Sequence, residues 1–209
     1  MSIEPVALLA GSRIVPVITL KSASVAEPLA KALAEAGVRC AEVTLRTPGS
    51  EDALRAMARH GGLTVGAGTV VNEAQAERAV AAGARFIVSP GLDADIAARC
   101  RSLDTPHIPG IATASELMLA LKLQQSTVKL FPAEQLGGLN LLDALAAPFP
   151  QARFMPTGGI GPEQLPRYLA HPSVVAVGGS WITPSALLEK GDYDAIRRLA
   201  EQAVEWSGP

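Results

Sequence analysis

RFMPTGGIGPEQLPRYLAHPSVVAVGGS, residues 153–180, contains the fold in one period. It opens on a short β pattern (153–159) ending in two glycines, passes through a helical stretch (162–170), and returns to a β-branched run (174–180) that also ends in glycines. Strand, helix and strand in that order make a parallel βαβ unit, because a helical crossover brings the second strand alongside the first in the same direction. Moving outward, the unit recurs at a spacing of roughly 25 residues. Further strand runs are IVPVITL (14–20), CAEVTL (40–45), LTVGAG (63–68), RFIVSP (85–90), PHIPG (106–110) and TVKLFP (127–132), which brings the count to eight.

The spacing predicts helices at 24–36, 49–60, 73–82, 93–101, 113–123, 138–146, 162–170 and 184–206. Thr113 with Glu116 three residues later reads as a capping box, and Pro162 and Pro184 suit first-turn positions. Eight strands, each followed by a helix, is the count that closes a TIM barrel. The expected fold is therefore α/β, a single (β/α)8 TIM barrel over residues 1–209 with a short helix ahead of the first strand. A doubly wound open sheet is the alternative. It usually carries GxGxxG after its first strand, and IVPVITLKSAS has no glycine there.

The chain of 209 residues is 48% hydrophobic and 18% charged, enough apolar content for one sizeable core. A formal net charge of -2 leaves no basic stripe for nucleic acid. The two cysteines, Cys40 and Cys100, show neither CxxC spacing nor a nearby histidine pair, so no disulfide framework, metal or cofactor is expected, and a reducing cytoplasm fits. MSIEPVALLAGSR has an early acid and no basic leader, and no run reaches membrane-spanning length, so neither a signal peptide nor a membrane partner is expected.

Barrel enzymes place their chemistry at the C-terminal ends of the strands. In TVKLFP, alternation puts Thr127, Lys129 and Phe131 on one face and Val128 and Leu130 on the other. Burial disfavours the charged form of an amine, and a neutral amine can attack a ketone carbon. The alternative is a lysine reaching solvent from a strand end. In CAEVTLRT, Glu42, Thr44 and Arg46 share a face, which would put a proton-transfer carboxylate beside a guanidinium able to fork around a substrate carboxylate. Arg46 would also hold Lys129 neutral by repulsion; a purely structural Glu42–Arg46 ion pair is the alternative. The glycine pairs of PTGGIGP (156–162) and VGGSW (177–181) suit backbone N–H groups cradling a phosphate, with a following helix N-terminus adding partial charge, although ordinary turns also use glycine. Thr69 in GAGTV suits either a substrate oxygen or a helix cap. His60, His107 and His171 lack metal spacing and read as structural or surface residues, Trp181 as packing, and Met57, Met118 and Met155 as core.

Taken in order, IVPVITL, EVTLRT, VGAGTV, SPGL, PGIATASELM, VKLFPAE, PTGGI, GGSW and GDYDAI resemble the 2-keto-3-deoxy-6-phosphogluconate (KDPG) aldolase family, also described as 4-hydroxy-2-oxoglutarate (KHG) aldolases. The resemblance runs over nearly the whole chain. It implies a Schiff-base role for Lys129 and a proton shuttle at Glu42. Arg46 and Thr69 would hold the pyruvate-derived carboxylate, Pro90 and Phe131 would line that pocket, and Thr157 would control the aldehyde face. Gly158, Gly159, Gly179 and Ser180 would cradle the phosphate. None of these positions departs from the family pattern. A homotrimer in the cytoplasm, taking a phosphorylated keto acid in the Entner–Doudoroff route, is implied as well. Preference for the galactonate epimer or for unphosphorylated 4-hydroxy-2-oxoglutarate, or a non-catalytic barrel that binds phosphorylated ligands, are the rivals.

Overall fold

Every expected strand run forms a strand, each shorter than its run, in the computed structural model, which describes Leu9 and residues 13–208. The chain begins with β1 (Ile14–Ile18), α1 (Ala26–Glu35), β2 (Cys40–Thr44), α2 (Ser50–Arg59), β3 (Thr64–Gly68) and α3 (Glu73–Ala81). It continues through β4 (Ile87–Val88), α4 (Ala94–Ser102), β5 (His107–Ile108), β6 (Gly110–Ile111), α5 (Ala114–Lys122) and β7 (Thr127–Leu130). It ends with α6 (Leu139–Ala146), β8 (Arg153–Phe154), α7 (Leu165–Leu169), β9 (Val177–Gly179), α8 (Ser185–Lys190) and α9 (Tyr193–Ser207). The expected helix ahead of the first strand lies outside the described residues, apart from Leu9, which is helical and buried.

The result is an α/β fold with a curled parallel sheet. Hydrogen bonding defines a six-stranded sheet in the order β5-β4-β3-β2-β1-β9 and a three-stranded sheet in the order β6-β7-β8, and every pairing is parallel. The run PHIPG supplies two strands instead of one, because Pro109 has no N–H to give to a ladder. Its carbonyl still accepts from Lys129 N at 2.8 Å as a rung beside the Gly110–Lys129 pair of β6 and β7, so one continuous run serves both sheets. Near β8 and β9, parallel bridges join Phe154 to Val174 and Thr157 to Gly178, with Gly178 N donating to Pro156 O at 2.9 Å.

Side-chain alternation sorts the strand residues into two apolar clusters. Ile14, Ile18, Ala41, Val43, Ile87, Val128, Phe154 and Val177 pack with the helices in the larger one. Val15, Cys40, Phe86, Val88, Ile108, Met155 and Ala176 form a smaller one with Leu9 on the opposite face of the strands. Both faces are therefore buried, as parallel strands flanked by helices require. Glu42 shares its face with Cys40, which opens a polar region on the inner side.

Helix ends follow local chemistry. The Thr113–Glu116 capping box forms as expected. Pro184 stands at the N-cap of α8 rather than in its first turn, and Pro162 lies ahead of α7, whose first turn holds Pro166 instead. The stretch 184–206 breaks into α8 and α9 because Gly191 takes a left-handed conformation (φ 68°) and Asp192 caps the next helix through Ala195 N. Met57 and Met155 are buried, but Met118 is 60% exposed. On α5 the inward stripe runs through Leu117 and Ala120, three residues apart, and the position after Leu117 faces out. No described helix is long and apolar enough to cross a membrane.

Candidate active site

Period-two alternation in two distant strands aims Glu42 of β2 and Lys129 of β7 at the same interior point. Lys129 Nζ lies 3.1 and 3.2 Å from the two carboxylate oxygens of Glu42, and both residues are buried. Space for this pair comes from a missing side chain: a Cβ on Gly68 would stand 2.0 Å from Glu42 Oε1, so the carboxylate lies across that glycine. The Phe131 ring sits 5.4 Å from Nζ, within reach of a cation–π contact. Thr44 also faces inward, donating to Ile18 O at 3.0 Å and sharing a 2.8 Å hydrogen bond with Thr19.

Arg46 does not form the structural ion pair with Glu42 that is its alternative reading. It is exposed, its Nε donates to Thr69 Oγ1 at 2.9 Å, and the charge in contact with Lys129 is the acid of Glu42 rather than a guanidinium. Four residues along a strand span roughly 13 Å, too far for Glu42 and Arg46 to meet directly. Thr69 has φ 59°, a conformation that a β-branched residue adopts at a cost of about 1–3 kcal/mol. It is therefore held by its surroundings, and the hold fixes the hydroxyl that receives Arg46.

The remaining candidates also follow C-terminal strand ends, which a parallel sheet gathers on one side. Pro90 follows β4 and is exposed; a Cβ on Gly110 would come within 2.2 Å of its carbonyl oxygen, so the two backbones pack tightly. Ser89, which periodicity does not single out, is buried beside it and donates to Gly91 O at 2.6 Å. Its sequence signal is a hydroxyl ending an apolar run. Thr157 is buried against Gly178, where a Cβ would meet its Oγ1 at 2.2 Å. Gly158 (φ 104°) and Gly159 (φ 77°) follow in conformations that side chains resist. Gly179 ends β9 with the indole of Trp181 against it, and Ser180 is exposed. Trp181 packs on the core and 6.2 Å from Trp206, as expected, although its Nε1 is buried with no partner. The glycine pairs are not immediately followed by helices: α7 starts at Leu165 and α8 at Ser185, each under two turns long, so the expected helix-terminus charge is weak here.

The histidines lie elsewhere. His107 is buried on the helix side, 2.9 Å from Ser89 Oγ, and burial lowers its pKa to about 4 against the raising effect of Asp93. His171 contacts Asp143 at 3.0 Å. Among the described residues, no group of three or more His, Cys, Asp or Glu side chains could hold a metal ion.

Residues 6–199 match the family model described as KDPG and KHG aldolase. The chain is 49% identical over 193 residues to the KHG/KDPG aldolase of Escherichia coli K12, covering 92% of this chain and 91% of that protein. It is 45% identical over 197 residues to the 2-dehydro-3-deoxy-phosphogluconate aldolase of Treponema pallidum, covering 94% of each. A KDPG aldolase structure from Legionella pneumophila, with pyruvate captured as a covalent carbinolamine intermediate, superposes with a TM-score of 0.92 at 40% identity, covering 95% of this chain and 97% of that one. The Zymomonas mobilis ZM4 enzyme with 3-phosphoglycerate gives the same score and identity over 96% of this chain and 94% of that one. The chain belongs to the KDPG and KHG aldolase family.

Proposed function

We propose that this protein is a class I aldolase that cleaves 2-dehydro-3-deoxy-6-phosphogluconate to pyruvate and glyceraldehyde 3-phosphate through a Schiff base on Lys129. The observation that carries the reading is the buried Lys129 amine, 3.1 Å from a single carboxylate at the C-terminal side of the sheet. Relatives named for this reaction, one holding pyruvate as a carbinolamine, support it.

The ion pair itself supplies the nucleophile. Both charges are desolvated, so moving the proton from Lys129 to Glu42 gives up Coulomb attraction but removes two buried charges. The neutral amine attacks the C2 ketone, and Glu42 returns a proton to the departing oxygen as water leaves, giving a protonated imine. The ionised Glu42, directly or through a water, then takes the C4 hydroxyl proton. The C3–C4 bond breaks, its electrons pass into the iminium, and glyceraldehyde 3-phosphate departs. The enamine is protonated at C3 and hydrolysed, which releases pyruvate and restores Lys129.

Arg46 and Thr69 bind the carboxylate of the keto acid, and Pro90 and Phe131 line its pocket. Thr157 acts at the aldehyde face, and Gly158, Gly159, Gly179 and Ser180 cradle the phosphate. Residues 1–209 make one domain, and the curled sheet closes as a (β/α)8 TIM barrel; the run PHIPG, which serves both sheets, and the hydrogen bond from Gly178 N to Pro156 O support closure. The protein works as a homotrimer in the cytoplasm, in the Entner–Doudoroff route. Exposed Val71, Met118 and Leu119 offer apolar surface for self-association, and sedimentation should give three times the 21.6 kDa chain mass. Turnover of 4-hydroxy-2-oxoglutarate is a second activity, favoured by the double name of the Escherichia coli relative.

Borohydride added with pyruvate should place a pyruvate-derived mass on Lys129 and stop activity. EDTA should leave activity intact, since the iminium supplies the polarisation. Absence of the adduct, or label on another lysine, would overturn the scheme.

A further inference from the structure

One acidic side chain outside the Lys129–Glu42 pair is tied to both ends of the segment that carries the Gly158–Gly159 loop. Glu134 lies just beyond the strand of Lys129, in a short 3-10 turn (Glu134–Leu136). Its backbone N–H donates to Gly158 O at 3.1 Å, one step after Ala133 N donates to Thr157 O at 2.9 Å. These two successive backbone bonds hold the turn against the chain just beyond β8. The stem of Glu134 lies directly against the loop: a Cβ on Gly159 would stand 2.8 Å from Glu134 Cβ. Its carboxylate turns the other way and accepts a hydrogen bond from the hydroxyl of Tyr168, on α7.

The loop 157–164 and helix α7 are therefore closed into a ring by one residue. The main chain of Glu134 holds the loop's start, and its side chain holds the helix that follows. Tyr168 is 1% exposed, and its hydroxyl and the Glu134 carboxylate both pack over Gly138, where a Cβ would meet them at 2.9 and 2.8 Å. Burial, and then the neighbouring carboxylate, raise the pKa of the phenol, so the hydroxyl remains a donor at any working pH. A donor that never ionises, facing an acceptor whose main chain is bonded to Gly158, gives the glycine loop one conformation in advance of any ligand.

We propose that the Tyr168–Glu134 hydrogen bond is a positioning device that presets the Gly158–Gly159 loop for the phosphate of the substrate, and so sets the preference for phosphorylated over unphosphorylated keto acids. This rests on the phosphate role proposed for that loop. Neither side chain needs to touch the substrate. Their effect is confined to the phosphate end, because the imine-forming pair is anchored separately through Glu42 and Gly68.

Tyr168→Phe deletes the hydroxyl and retains the ring. KM for the phosphorylated keto acid should rise about five- to tenfold with kcat within twofold, and inhibition by inorganic phosphate should weaken by a similar factor. Turnover of 4-hydroxy-2-oxoglutarate and borohydride trapping of pyruvate should stay within twofold. Glu134→Gln keeps an acceptor for the phenol and should recover most of the selectivity, whereas Glu134→Ala should match Tyr168→Phe. An equal loss on both substrates, or no change in the phosphate-dependent readouts of Tyr168→Phe, would overturn the proposal. A wild-type protein that traps pyruvate but shows no preference for phosphorylated substrate would overturn the phosphate reading itself, and one that traps none would overturn the lyase reading.

Discussion

Lys129 and Glu42 illustrate what a single residue type discloses. A lysine and a glutamate inside apolar strand patterns are legible as unusual, because ionised groups are seldom fully buried without a partner. Their partnership is not legible, since it joins residues 87 positions apart and depends on how the sheet curls. Arg46, nearer to Glu42 in sequence, reaches Thr69 rather than that carboxylate. Ser89 donates to Gly91 O, so the proton shared between Ser89 and His107 belongs to Nε2 of the ring, and Nδ1 is buried without a partner. A second ring proton would have no acceptor, which agrees with a folded-state pKa of about 4 against 6.5 for the free side chain. Between those values the unfolded chain binds a proton that the folded one refuses. The stabilising effect of a neutral His107 is thus fully present above about pH 6.5 and is lost as the pH falls toward 4, to a total of about 3 kcal/mol. In urea titrations across this range, His107→Leu should show a shallower acid loss than the parent; an identical slope would show that His107 does not set it.

At the scale of the element, periodicity located the strands and most helices, and the errors share a cause. Helix starts shifted where a proline or glycine could be read in more than one role, as at Pro162, Pro184 and Gly191. PHIPG read as one strand because a lone proline interrupts a ladder without erasing its pattern. The glycines of β3 were visible, but their purpose was not. Gly66 and Gly68 are the places where Phe86 and Glu42 cross the strand, with would-be Cβ contacts of 2.3 and 2.0 Å. In Gly68→Ala the methyl group must displace the Glu42 carboxylate, since the strand is buried and cannot move away. Lyase activity should fall by at least about a hundredfold, because a proton-transfer group displaced by an ångström loses most of its effect. Circular dichroism should remain that of the parent. Full activity in this variant would show that Glu42 does not need the position it occupies here.

For the molecule as a whole, the question is whether two hydrogen-bonded sheets behave as one ring. The inner cluster draws Val15 and Cys40 from the six-stranded sheet, adds Met155 next to β8 of the three-stranded one, and takes Leu9 from ahead of β1. A cluster shared in this way cannot survive separation of the sheets, so opening the seam should expose apolar surface together with the Lys129–Glu42 pair. Closure also leaves no strand edge, whereas two separate sheets would leave four. Native-state hydrogen exchange distinguishes the cases. In a closed ring the amides crossing the seam between β8 and the run that leads into β9, Val175 N to Phe154 O and Gly178 N to Pro156 O, should exchange with the same free energy as Ala67 N, which bonds to Phe86 O inside the larger sheet. If the seam amides exchange through a cheaper opening that leaves Ala67 protected, the sheets are independent units. The dry interior that the Lys129–Glu42 pair requires would then exist only part of the time.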